Sequence, residues 1–232
     1  MPEKNTKKSL FAEIPWLNGE RAEYTIDWVR KSKEKISIGE LVIENRLSKE
    51  MENDYISIIT QTKMYHTSYT EEVTVLANKG DYKPIVTHIS LQTPEGETIK
   101  VKGHYKGRKV DIYVETARAK HKTSMNVPLN VFDNYQAHFL IRSLLNTYTG
   151  YSASISAVHI LKGVVTHPML KVEAKEVVVV PAGKFVCWRI SSKKELRNEV
   201  QQYILISEQR PHPMVKNVKG TQIIELTNYV MP

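Results

Sequence analysis

Apolar and polar residues alternate with a period of two along most of the chain. Tyr24, Ile26 and Trp28 alternate with Thr25 and Asp27, the pattern of a strand with one buried face. Ile36, Ile38 and Leu41-Val42-Ile43 continue it after a lysine-rich turn, with Gly39 as a candidate bulge. The same reading predicts strands over 55–64, 71–77, 84–91, 97–105 and 110–116, divided by turn signals such as Asn78-Lys79-Gly80-Asp81, Thr93-Pro94-Glu95-Gly96 and Lys106-Gly107. Strands resume over 151–161, 172–180, 185–190, 199–207 and 221–229, and Pro181-Ala182-Gly183-Lys184 is a tight turn. A spacing of about ten residues per strand and turn, without alternating helices, predicts a mainly β fold. Its expected form is an antiparallel meander making a curved sheet or an incomplete barrel.

One segment departs from that period. Phe132, Tyr135, Phe139, Leu140 and Leu144 fall at helical spacing. Asp133 and Gln136 have the spacing of a capping box, with Pro128 upstream and Gly150 downstream. A short helix over 133–146 is predicted, plugging or covering the sheet with its apolar stripe. Arg142 stands among Leu140, Ile141, Leu144 and Leu145. A cation there either snorkels to solvent or pairs specifically, with a structural carboxylate or with the anionic head of a ligand.

At 232 residues, 41% hydrophobic and 25% charged, the chain can bury a core without disulfides or metals. The expected organisation is a flexible leader over 1–17 and one β-rich domain over 18–232. The first ten residues lack the apolar core of a signal peptide, and no run approaches the roughly 18 apolar residues of a membrane span. The net charge is +8. Much of the excess lies in Lys102, Lys106, Arg108, Lys109, Arg118, Lys120 and Lys122, against Asp111 and Glu115. Solvated strands with lysines that discourage edge pairing account for such a run. Nucleic acid, anionic lipid heads or acidic glycans would also be drawn to it. No RNA-binding, zinc-finger or basic-zipper pattern accompanies it, so specific nucleic-acid binding is not expected.

Catalytic signatures are sparse. Cys187, the only cysteine, lies in Phe185-Val186-Cys187-Trp188 and reads as a buried, inert thiol. None of the eight histidines forms an HExxH or close HxH pair, so neither a metal nor a cofactor is expected. Ser152, Ser154 and Ser156 alternate along one strand face without the G-x-S-x-G elbow that activates a serine. Turned into a cavity, that face would hydrogen-bond a polar ligand end.

Two stretches carry a family resemblance. The first runs from Phe132-Asp133-Asn134-Tyr135-Gln136 through Phe139-Leu140-Ile141-Arg142-Ser143-Leu144 to Gly150. The second runs from Val178 through Pro181-Ala182-Gly183-Lys184-Phe185 to Ile190, followed by Pro211-His212-Pro213-Met214-Val215-Lys216 and Ile224-Glu225-Leu226. With Gly19-Glu20-Arg21-Ala22-Glu23-Tyr24 as an opening strand, the chain resembles the bacterial domain-of-unknown-function 3108 family over about 18–230. The resemblance implies a curved antiparallel sheet or incomplete barrel around an apolar interior, a place in the periplasm or cell envelope if a signal peptide has been removed and in the cytoplasm otherwise, and no assigned catalytic residues.

Three functions compete. The leading expectation is a non-enzymatic protein that binds or carries an apolar or anionic amphipathic, lipid-like ligand inside a β-barrel-like shell. Its ligand-binding residues would be Tyr135, Phe139, Arg142, Ser152, Ser154 and Ser156. The alternative is an envelope structural or assembly protein that binds a protein partner through a sheet edge. The third, a hydrolase or isomerase, requires a polar pocket joining a histidine to Ser, Asp or Glu.

Overall fold

The computed structural model describes residues 15–50, 53–146, 149–193 and 200–232. Most of the expected leader and the expected strand start at Glu199 lie outside them. The first meander comprises β1 (Glu20–Val29), β2 (Lys35–Glu50), β3 (Asn53–Met64), β4 (Thr70–Asn78), β5 (Pro84–Gln92), β6 (Thr98–Lys106), β7 (Lys109–Glu115) and β8 (Lys120–Asn126). A middle section carries β9 (Val131–Asp133), a helical segment, β10 (Ser152–Ser154), β11 (Ser156–His159) and β12 (Val164–Thr166). The second meander comprises β13 (Met169–Val180), β14 (Gly183–Lys193), β15 (Val200–Ser207), β16 (Met214–Lys219) and β17 (Gln222–Val230).

Antiparallel pairing of β1 with β17, Tyr24 opposite Leu226, splices the two meanders into one sheet. Its fourteen strands run β10-β13-β14-β15-β16-β17-β1-β2-β3-β4-β5-β6-β7-β8, and a second sheet orders β12-β11-β9. The large sheet is curved and does not close into a barrel. Bulges contribute the curvature, because an extra residue bends and twists its strand. One lies on β2, where Ile26 and Asp27 oppose Gly39 and Ser37 and leave Ile38 unpaired. Gly39 is required beside it, since a Cβ there would stand 2.5 Å from the Lys63 carbonyl oxygen.

The concave face is the core. Ile56, Ile58, Val73, Val75, Ile89, Val101 and Ile112 of the first meander share one buried cluster with Ile190, Ile206 and Leu226 of the second. The helical segment packs into it. Asp133 caps the segment and the predicted capping box with Gln136 is present. The segment itself is a 3₁₀ turn (Asn134–Gln136), one α turn (Ala137–Leu140) and a second 3₁₀ stretch (Ile141–Asn146), rather than a continuous α-helix. Asn134, Tyr135, His138, Phe139, Ile141 and Ser143 are weak helix formers, so tertiary packing sets the local geometry. Consecutive Phe139, Leu140 and Ile141 are all buried. The Phe139 ring meets Tyr82 and Trp16 edge-on, with centroids 5.6 and 6.2 Å away.

The strand expected over 151–161 divides at Ile155. Ser152–Ser154 pairs with β13 in the large sheet, while Ser156–His159 pairs with β9 and β12. Alternation reports which face a residue occupies, not which strand pairs with it. Strands β8, β9, β12 and β16 lie outside the expected strands. β8 lacks an apolar alternation because it is an edge strand exposed at all but Met125.

Candidate ligand site

The helical segment uses its charge internally. Arg142 donates through Nη1 to Glu20 Oε1 at 2.5 Å and to the carbonyls of Pro15 and Pro211 at 3.4 Å. Glu20 also accepts from Asn45 Nδ2 at 2.5 Å and from the Tyr229 hydroxyl at 2.9 Å. The side chains of this pair are only 5% and 2% exposed. Arg142 therefore has a structural carboxylate as its partner, tying the segment to β1, β17 and the approach to Pro211. Its charge, after burial itself, holds His138 neutral, with a pKa lowered to about 3.

A second buried carboxylate, Asp133, caps the start of the segment. Asp133 accepts from Thr87 Oγ1 at 2.6 Å, from the Tyr105 hydroxyl at 2.5 Å and from the Tyr135 backbone N–H at 2.9 Å. Burial raises its pKa despite these bonds. Tyr135 donates its hydroxyl to Glu71, which also accepts from Tyr69, at 3.0 and 2.8 Å. The residues expected to bind ligand thus stand in different settings. Phe139 and Arg142 are buried, Tyr135 is half-buried and engaged with Glu71, and Ser152 and Ser154 are exposed near the sheet edge. Ser156 Oγ is 2.8 Å from His167 Nδ1. These two are cross-strand neighbours, since Ala157 pairs with Thr166. Cys187 is fully buried, and burial followed by the nearby Glu176 pushes its thiol up to about 12, which leaves it protonated and unreactive. No cluster of three His, Cys, Asp or Glu side chains suited to a metal occurs among the described residues.

The outer face of β4 to β8 forms a trough of about 590 Å³. Two cross-strand rows build it. The first aligns Thr74, His88, Lys102, Tyr113 and Lys122, and the second aligns Glu72, Ser90, Lys100, Glu115 and Lys120. The four lysines outnumber the two glutamates. Lys120 pairs with Glu115 at 3.0 Å, and Glu72 accepts from Gln61 at 3.1 Å. The Lys122 ammonium lies 5.1 Å from the Tyr113 ring centroid. Lys100 and Lys102 have no side-chain hydrogen bond or ion pair among the described residues. The basic run of the sequence contained Lys102, Lys120 and Lys122 but not their partners on β4 to β6. The two rows follow from the register of the hairpins, because their ten side chains occupy one face of the period-two pattern, while Ile89 and Val101, which also border the trough, are core residues of the other face.

No curated protein matches this chain. The crystal structure of a β-barrel-like protein of domain of unknown function DUF1849 from Brucella abortus is similar, at TM-score 0.55 and 12% identity, covering 94% of this chain and 98% of that one. A putative exported protein with a YmcC-like fold from Bacteroides fragilis aligns over 95% of this chain and 99% of its own at TM-score 0.35 and 8% identity. No helix among the described residues is long and apolar enough to cross a membrane. The family model for protein of unknown function DUF3108 matches residues 23–222, so the chain belongs to that family.

Proposed function

We propose that this is a non-enzymatic binding protein for an anionic amphipathic ligand, and that the ligand docks in the trough on the outer face of β4 to β8. The trough itself carries the reading: its volume suits a small molecule, and its lysines exceed its carboxylates. The aliphatic stems of Lys100, Lys102, Lys120 and Lys122 and the Tyr113 ring supply apolar wall beneath the charged ends. The interior is less accessible, because a ligand reaching Phe139 or Arg142 must displace packed core and separate Arg142 from Glu20. Calorimetric titration below the micelle concentration tests the proposal. Dodecanoate should bind and dodecyltrimethylammonium should not. The Lys100→Ala/Lys102→Ala double variant should bind dodecanoate roughly tenfold more weakly, two exposed pairings being worth ~1 kcal/mol each at most. Equal affinity for the two amphiphiles, or none for either, overturns it.

One observation favours a second reading, strand addition by a protein partner. Beyond Val172, the backbone of β13 hydrogen-bonds only to β14 among the described residues. Val177 and Val179 are 58% and 71% exposed beside Val186, without the lysine-rich cover that β8 has. Crosslinking of the protein and of its Val177→Lys/Val179→Lys variant tests it: a partner captured only by the parent supports strand addition, and identical patterns oppose it.

A further inference from the structure

We infer that the head group taken by the trough is a phosphate rather than a carboxylate. This rests on the trough being the ligand site. The row of Thr74, His88, Lys102, Tyr113 and Lys122 holds no carboxylate. Both glutamates lie on the other row and are engaged, Glu115 by Lys120 and Glu72 by Gln61. Lys100, Lys102 and Lys122 make no ion pair among the described residues, with Glu115 opposite Lys100 in the register but paired to Lys120. Lys100 and Lys102 share one face of β6 about 7 Å apart, and Lys122 lies two strands on, about 10 Å across the sheet, within reach of a common point between them.

Charge count decides between the head groups. The four lysines and two glutamates of the trough leave two positive charges in excess, and a carboxylate, with one charge and two oxygens in a plane, offsets only half of that. A phosphate monoester brings a charge of about −1.5 to −2 at neutral pH and three strong acceptor oxygens. Ammonium groups act as separate point charges and can meet a tetrahedral head from different sides. The Thr74 and Tyr113 hydroxyls supply further donors along the row. His104 packs edge-on against Tyr113 with centroids 5.8 Å apart. Burial first, and then Lys102 and Lys106, lower its pKa, with Asp111 opposing them.

Titration of the full chain with dodecyl phosphate, dodecanoate and glycerol phosphate tests the assignment. Dodecyl phosphate should bind at least tenfold tighter than dodecanoate. The Lys100→Ala/Lys102→Ala variant should bring that ratio close to one while its thermal melt stays unchanged, because both side chains lie on the outer face. Equal binding of dodecyl phosphate and dodecanoate by the parent, or a ratio preserved in the variant, overturns the phosphate assignment and leaves the amphipathic-ligand reading standing. Binding of neither chain overturns that reading too. Glycerol phosphate binding as tightly as dodecyl phosphate supports the phosphate head and assigns it to a soluble molecule instead of a lipid.

Discussion

Glu20 and Arg142 stand 122 positions apart and are buried together. Removing one partner of such a pair strands the other charge, whereas removing both removes the desolvation cost as well. Arg142→Met should therefore destabilise the fold by about 3–5 kcal/mol in urea titration. Glu20→Gln/Arg142→Met should recover much of the loss, and a double variant as unstable as the single would refute the pairing argument. Asp133 behaves differently because no cation faces it. Its carboxyl is held above the ordinary value by burial. An acid with a raised folded pKa binds protons on folding, so its contribution is full below the unfolded pKa of ~3.9 and is lost as pH rises through the folded value. Asp133→Asn keeps a capping side chain. Its stability relative to the parent should climb as pH rises from about 4 through that window, and a difference that stays constant with pH would count against the buried carboxyl.

At the scale of elements, bulges and close approaches matter more than propensity. Gly39 lies beside the β2 bulge with the Lys63 carbonyl where a Cβ would go. Gly39→Ala forces backbone to shift, and overpacking of this kind costs about 1–3 kcal/mol. Chemical denaturation should show that loss, and an unchanged midpoint would mean the strands separate there freely. The helical segment teaches a related point. Its cap was legible, because Asp133 and Gln136 satisfy local donors by a rule of spacing. Its mixed 3₁₀ and α geometry was not, because contacts with Tyr82 and Trp16 set it.

At the scale of the molecule, the proposed binding depends on where two meanders place their faces. The concave face is filled by core and by the helical segment, and the outer face of β4 to β8 is left as the trough. Its lysines are exposed and subject to screening, with a Debye length near 10 Å at 0.1 M salt. Anionic amphiphile affinity should fall several-fold between about 50 and 500 mM sodium chloride, whereas a purely apolar site would hold or gain affinity. Calorimetry at the two ionic strengths distinguishes them.

The period-two pattern alone determined that the chain is a long antiparallel meander with one interruption, since alternation and turn chemistry are local properties. The strands at 24–28, 55–64, 84–91 and 110–116 needed nothing more. Motif spacing at Asp133, Pro181 and Pro211 was enough to recognise the family. Pairing was beyond it. That β1 meets β17, that the 151–161 run serves two sheets, and that Arg142 finds Glu20 depend on contacts between distant segments, whose partners no local rule names. The trough belongs to the same class: Lys100, Lys102 and Lys122 are ordinary solvent-facing residues in sequence, and only the register of β4 to β8 sets them side by side.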